Sequence, residues 1–337
     1  MQVAYWYNNQ DIRIEEIPTP KPGPKEMLVR VMSCGICGSD VVEWYRLPRA
    51  PLVLGHEIGA QVVDVGKAVK KFKPGDRVFI APKVTCGKCH YCKNGHHPQC
   101  SEVRERLPGG FAEYILVPEI LVKKGTYRLP DHISDDQSTF IEPLACVIRA
   151  QRLARIQKGQ NVLVIGCGMS GLLHVKLAKK KGCRVIAADV NRFKLETAKR
   201  LGADLCVSAT ENLSERLIQE IGRKADAVFV CAAAEEAAKE SWLCVDKGGV
   251  ILFFAVPGPD KQIVVPLNDF WMKEITILTS YYCGPPDIAE AMKCLARRQV
   301  NVDDLITHRL SLAEIAKGFQ LVSDGRSSIK IIIKPNG

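Results

Sequence analysis

The sequence predicts an α/β protein built from a mostly β domain and a doubly wound parallel sheet. The first third consists of short alternating runs such as MLVRVM, AQVVDV and DRVFIA, separated by the turn-forming stretches PKPGPKE, VGKAVKKFKPGD and LPGG. From about Gln160 onward, apolar strands take turns with helical stretches. The tail IKIIIKP reads as one more strand that returns to the first domain and makes the second an insertion. The expected division is 1–146 completed by 285–337 for the β domain, and 147–284 for the parallel sheet.

Within the second domain NVLVIG is a continuous apolar strand of the kind buried on both faces. A helix from about Ser170 to Lys181 follows, then the strand RVIAAD, a helix from about Arg192 to Leu201 and the short strand DLCVSA. A helix near Ser214 to Ile221 and the strands DAVFVCA, GVILFFAV and ITILTS complete the alternation. After Tyr282, CGPPDIAEAMKCLARRQ opens a helix at Pro and Asp. No internal repeat or low-complexity segment interrupts the chain.

Composition narrows the class of protein. With 337 residues and 47% hydrophobic content, the chain supports two cores of ordinary size. It has no apolar run of the ~18 residues that spans a bilayer, and MQVAYWYNNQDIRIEE lacks the layout of a secretion signal, so a cytoplasmic location without membrane association is expected. The net charge of +10 comes from basic residues scattered along helical stretches such as AKKKG and AKRLG. A nucleic-acid surface instead needs a concentrated basic stripe interleaved with aromatics, and aromatic content is 7%, so no nucleic-acid partner is expected. The fourteen cysteines are too diluted for a disulfide scaffold. Metal ligation and core packing account for them better.

The loop GCGMSG follows the strand NVLVI and opens an amphipathic helix, the context in which a GxGxxG pattern signals a dinucleotide. Gly166 allows the tight turn, Gly168 lets backbone amides approach a pyrophosphate, and Gly171 lets helix and strand pack closely; Met169 and Ser170 complete the candidate cofactor contacts. Asp189 ends the next strand, 18 residues after Gly171. Its carboxylate suits the adenosine ribose hydroxyls and repels a 2′-phosphate, which predicts NAD over NADP; an N-cap role for the next helix is compatible. Lys194 is a further candidate beside the adenosine.

Cys86, Cys89, Cys92 and Cys100, spaced CxxCxxCx7C, match a closed tetrahedral site for a structural zinc. A second set begins with Cys37 in SCGICGSD and continues, nineteen residues later, with His56 in LGHEIG. A catalytic zinc keeps three protein ligands and an open position, so the third comes from Glu57, Glu142 or Cys146, with Glu142 the first choice. A zinc ion there acts as a Lewis acid on a substrate hydroxyl while the nicotinamide accepts hydride. Ser39 is the candidate proton relay, Asp40 the candidate partner of the imidazole, and Cys34 a bystander. Two zincs and a dinucleotide together imply a dehydrogenase.

The succession GICGSD, GHE, CxxCxxCx7C, EPL and GxGxxG, with ITHRLSLAEIAKGFQLV near the end, resembles the zinc-dependent medium-chain alcohol dehydrogenases, most closely their sorbitol and polyol branch. The resemblance runs through essentially the whole chain. It implies a GroES-like catalytic domain built from both termini around a Rossmann domain, with the active site in the cleft between them. By the same resemblance, Cys37, His56 and either Glu57 or Glu142 hold the catalytic zinc, and some relatives exchange one glutamate for the other during turnover. Two departures bear on the substrate. The His that often follows the relay residue by three is Val42 here, and the Arg of an RYC segment is replaced by Tyr281, before Tyr282 and Cys283. Arg46 and Arg49 are candidates for an anionic substrate, with surface arginines the simpler reading.

The leading functional expectation is an NAD-dependent zinc enzyme that oxidises a secondary alcohol of a polyol, sugar or related hydroxylated metabolite, and works as a homotetramer or homodimer. A threonine-type or simple alcohol dehydrogenase shares the chemistry with a different pocket. From other classes come a catalytically silent binding or redox-sensing member of the fold and a zinc-ribbon nucleic-acid binder. The presence of Cys37, Ser39, His56 and Glu57 argues against a silent member.

Overall fold

The computed structural model describes residues 1–103 and 105–337. The chain separates into two compact units, one formed by 1–143 with 283–337 and the other by 144–282.

The first unit is dominated by antiparallel strands. Its largest sheet runs in the order Thr126–Arg128, Arg77–Ile80, Glu57–Val65, Met27–Gly35, Lys330–Lys334, Ile306–Ser311, with Tyr114–Val117 also paired to Met27–Gly35. Met27–Gly35 is apolar almost throughout because it lies inside the sheet, with most of its residues buried. The tail strand Lys330–Lys334 pairs antiparallel with its end, matching Ile332 to Gly35 and Ile333 to Cys34, and parallel with Ile306–Ser311. Residues from both ends of the sequence therefore share one core, in which Val29, Val31, Ile58, Ile331 and Ile333 are fully or almost fully buried with Phe111 and Phe319. The rings of Phe111 and Phe319 meet edge to face at 5.8 Å.

The second unit is a six-stranded, wholly parallel sheet in the order Leu205–Ser208, Arg184–Asp189, Asn161–Ile165, Ala225–Val230, Val245–Phe253, Thr276–Thr279. Strand order reverses beside Asn161–Ile165, and in such sheets a ligand lies beyond the carboxyl ends of the strands at the reversal. All five residues of Asn161–Ile165 are buried, as the unbroken apolar run NVLVI requires. The helix Leu267–Lys273, for which the sequence reading has no counterpart, sits before the edge strand and leaves Leu267, Trp271 and Met272 exposed. Among the described residues no helix is long and apolar enough to cross a membrane.

One buried side chain gives this unit a pH dependence. His174, on the helix Met169–Lys180, is fully buried, stacked on Phe229 at 4.5 Å with Phe254 edge-on at 4.9 Å. Burial, assisted by the Lys181 charge, holds its imidazole at about 3 instead of its ordinary 6.5. The folded state thus resists a proton that the unfolded chain accepts, so the contribution is intact above pH 6.5 and is lost as pH falls from there toward 3. In that window this group alone removes roughly 1.4 kcal/mol of stability per pH unit. Urea unfolding at pH 6.5 and 5.5 is expected to show a smaller drop for His174→Phe than for the parent; equal drops would refute the assignment.

Candidate metal centre and cofactor loop

Cys37 leaves the end of Met27–Gly35 and caps the short 3-10 turn Gly38–Val41. Its sulfur accepts from the Ser39 amide at 3.4 Å and from Ser39 Oγ at 3.3 Å. Its own amide donates to Asp40 Oδ2 at 3.1 Å. His56 precedes the strand Glu57–Val65 and follows Gly55, whose φ of +92° is left-handed. A Cβ there would also meet the Phe111 amide nitrogen at 2.9 Å, so glycine is needed to turn the chain onto the site. Ligand atoms of Cys37, His56 and Glu57 all lie within 4.8 Å of one another.

The surroundings of this trio are ionic. Asp40 is wholly buried, and its Oδ1 lies 3.4 Å from His56 Nδ1. That contact takes one imidazole nitrogen and leaves Nε2 for a cation. Glu57 Oε2 accepts from the ammonium of Lys330, both side chains being fully buried. A Cβ on Gly35, the residue paired with Glu57, would collide with both charged groups. Glu57 Oε1, buried as well, has no hydrogen-bond partner among the described residues. A buried carboxylate oxygen without a hydrogen-bond partner, beside a sulfur and an imidazole, suits a divalent cation, and the S, N, O donor set suits zinc.

Burial raises the Cys37 thiol, and the Glu57 charge raises it further. Burial pulls His56 down, but Asp40 and Cys37 outweigh it and hold the imidazole well above its ordinary value. A bound cation must therefore displace protons from both groups. Glu142, buried in the first turn of the helix Ile141–Leu153, has its carboxylate within 4.8 Å of the Cys283 sulfur; the trio around Cys37 closes with Glu57. Cys34 faces Gly55 and Gly110 in the core, and burial puts its thiol well above the ordinary range.

The sulfurs of Cys86, Cys89, Cys92 and Cys100 also lie within 4.8 Å of one another. Backbone amides point at them: Cys89 and Lys88 donate to Cys86 Sγ at 3.3 and 3.5 Å, and Cys86 donates to Cys100 Sγ at 3.3 Å. Amides of Cys92 and Ser101 bring Cys89 down to about 5, whereas burial pushes Cys92 up to about 12. Only a shared cation makes thiolates of all four.

In the second unit Gly166 has φ +96°, and a Cβ on it would meet the Ala232 nitrogen at 2.8 Å. A Cβ on Gly171 would drive into Gly166 O, whereas Gly168 faces open space above the start of Met169–Lys180. That combination of a tight turn, close packing and an open face fits a pyrophosphate. Asp189 accepts from the Cys167 amide at 2.6 Å through Oδ2 and from the Asn191 amide at 2.8 Å through Oδ1, which locks its carboxylate at the strand end. Asn191, rather than Asp189, caps the following helix, accepting from the Lys194 amide at 3.3 Å, and Lys194 is half-buried.

Residues 23–131 match the alcohol dehydrogenase GroES-like domain, and 171–297 match the zinc-binding dehydrogenase domain. Sorbitol dehydrogenase of Halalkalibacterium halodurans is 31% identical, with 96% of this chain and 95% of the relative covered. The chain belongs to the zinc-binding medium-chain alcohol dehydrogenase family. Within it, the chain is a zinc-dependent dehydrogenase of the polyol and sorbitol branch. Two crystal structures superpose over 99% of both chains with a TM-score of 0.88. One is a putative zinc-binding dehydrogenase of Sinorhizobium meliloti bound to NADP, 28% identical, and the other is described as a short chain alcohol dehydrogenase of E. coli CFT073 with NADH, 26% identical. The GroES-like and Rossmann domains expected from the sequence are those of this family.

The ionic roles of two residues at this centre, Arg46 and Lys330, escaped the sequence reading. Arg46 is not a surface arginine: it is 9% exposed and bonded to Ser39 and Asp40, whereas Arg49 is exposed. Nothing in RLPR distinguishes the two. Lys330, inside the tail run IKIIIKP, was not singled out. In the four-cysteine lobe, Cys100→Ser is expected to remove one zinc per chain and, at a few kcal/mol, lower the melting temperature by roughly 5–10 °C. Metal analysis and calorimetry check this; unchanged zinc content would refute it.

Proposed function

We propose that this chain oxidises a secondary alcohol of a polyol, sugar or related hydroxylated metabolite to the ketone, with NAD as the hydride acceptor. The observation that carries the reading is the Cys37, His56 and Glu57 trio with its buried, unpartnered Glu57 oxygen. These residues would hold a zinc ion, with Glu142 as the alternate carboxylate. When bound, the zinc supplies Lewis acidity that favours the ionised alcohol. Each turnover removes a hydride to the nicotinamide and releases one proton. Ser39 Oγ accepts that proton, and with apolar Val42 in place of an imidazole it passes to solvent water. Asp40 keeps His56 in one orientation. Gly166, Gly168, Met169, Ser170 and Gly171 receive the pyrophosphate, while Asp189 and Lys194 flank the adenosine. A carboxylate already held by two amides resists a 2′-phosphate, which supports NAD over NADP.

The working assembly is a homodimer or a homotetramer made from it, in the cytoplasm. Fourteen cysteines spread through an enzyme-sized chain, accounted for by metal ligation and core packing, favour a reducing compartment. Thr276–Thr279 is an edge strand, and around it Val264, Leu267, Trp271, Met272 and Tyr281 are 85%, 71%, 80%, 67% and 53% exposed. An edge strand flanked by apolar side chains pairs with its own copy about a two-fold axis. Trp271→Glu is expected to convert the assembly to a smaller particle in light scattering, and an unchanged mass would exclude this face.

The decisive experiment is a panel of polyols, phosphorylated polyols, aldoses, amino alcohols and simple alcohols with NAD and with NADP. A polyol or sugar alcohol is expected to give the highest kcat/KM, at least about tenfold better with NAD. Cys37→Ala should lose about 10³-fold in that value and one zinc of two, the few kcal/mol that a Lewis acid contributes. Full activity in Cys37→Ala, or best turnover on a simple alcohol, would overturn the reading.

A further inference from the structure

The segment between Cys37 and His56 carries a guanidinium that the chemistry above leaves unused. Arg46 Nε donates to the Ser39 carbonyl at 2.9 Å, and Nη2 donates both to Ser39 Oγ and to Asp40 Oδ1 at 2.9 Å. Its Cζ lies 4.9 Å from the Tyr45 ring centroid, with Arg49 at 5.3 Å from the same ring. The turn beneath is anchored from outside, since Asn9 Nδ2 donates to the Val41 carbonyl at 2.8 Å and the Asn9 amide to Glu43 at 2.9 Å. Resting on the reading of Cys37, His56 and Glu57 as zinc ligands, we propose that Arg46 is the positioning residue of this centre. One permanent cation holds both the carboxylate that orients His56 and the hydroxyl that relays the proton.

The donor and acceptor inventory shows what this fixes. Ser39 Oγ has one proton and two lone pairs; its proton faces Cys37 Sγ, one lone pair takes Arg46, and one remains for a substrate hydroxyl. Arg46 only donates, so no proton leaves through it: the substrate proton arrives on that last lone pair, and the proton Ser39 already carries turns from Cys37 Sγ to solvent water to complete the relay. Asp40 has no contact with solvent, and Arg46 is the fixed charge bonded to it besides the imidazole it orients. Removing the guanidinium leaves a buried carboxylate short of a donor and frees His56 to turn.

The test compares Arg46→Met, Arg46→Lys and, as a control, Arg49→Met by zinc content, by transfer of zinc to a chromophoric chelator, and by kcat. In Arg46→Met the Cys37 centre is expected to bind zinc about 10–100-fold more weakly while the four-cysteine lobe keeps its ion. kcat falls and KM for NAD stays unchanged. Arg46→Lys, which keeps charge but loses the fork, lies between, and Arg49→Met matches the parent. Should Arg46→Met lose the lobe zinc as well, Arg46→Lys decides by the same measurements. Parent-like zinc transfer from the Cys37 centre in the deciding variant overturns the proposal. A parent protein with one zinc per chain, held by the lobe, overturns instead the functional reading on which the proposal rests.

Discussion

The buried ion pair between Lys330 and Glu57 is the contact on which the candidate metal centre depends. Two fully buried charges are costly to remove from water, and they persist together because each satisfies the other. The pair exists only because the tail strand Lys330–Lys334 lies beside Met27–Gly35, whose Gly35 leaves the space that both head groups occupy. Lys330 also sits over the face of Phe140 at 5.2 Å, so the ammonium is enclosed by aromatic and carboxylate groups. With one oxygen neutralised, Glu57 keeps the other for a cation, and the site acquires its donor set without an unpaired charge of its own.

A second ionic group also contacts the trio. Asp40 accepts from Cys37, faces His56 and receives Arg46, so a single carboxylate ties together the residues that begin and end the segment 37–56. Lys330 against Glu57 and Arg46 against Asp40 thus supply permanent positive charge to a cluster whose metal-binding form is anionic. This division suits a zinc centre that keeps one position open, because the ligands are oriented by their neighbours and not by a full coordination shell. The four-cysteine lobe works differently. Its amides converge on the sulfurs from within one short loop, so the loop needs little from the rest of the unit beyond its anchor.

Much of this was legible because it is local. CxxCxxCx7C brings four thiols together within fifteen residues, and GCGMSG between an apolar strand and a helix specifies its own turn. The unbroken NVLVI and the alternation after it indicated a buried parallel sheet for the same reason. The carboxylate nearest Cys37 and His56 was not legible. Spacing left Glu57, Glu142 and Cys146 in contention with Glu142 first, whereas the group brought together with Cys37 and His56 contains Glu57, and the packing that sets it there runs through a lysine 273 residues away. Arg46 was misjudged because the sequence does not record which face of a four-residue helix turns inward.

By itself, then, the chain's sequence determined the two-domain α/β class, the tight glycine turn after NVLVI, the cysteine lobe and the family, all of which reside in short patterns complete within a few residues. Tertiary structure alone decided which carboxylate completes the Cys37 trio, that Lys330 neutralises it, and that Arg46 is bonded within the centre instead of solvated. The physical reason is the same in each case: a buried charge is defined by its partner, and these partners are brought together by strand pairing and loop burial that no local spacing encodes.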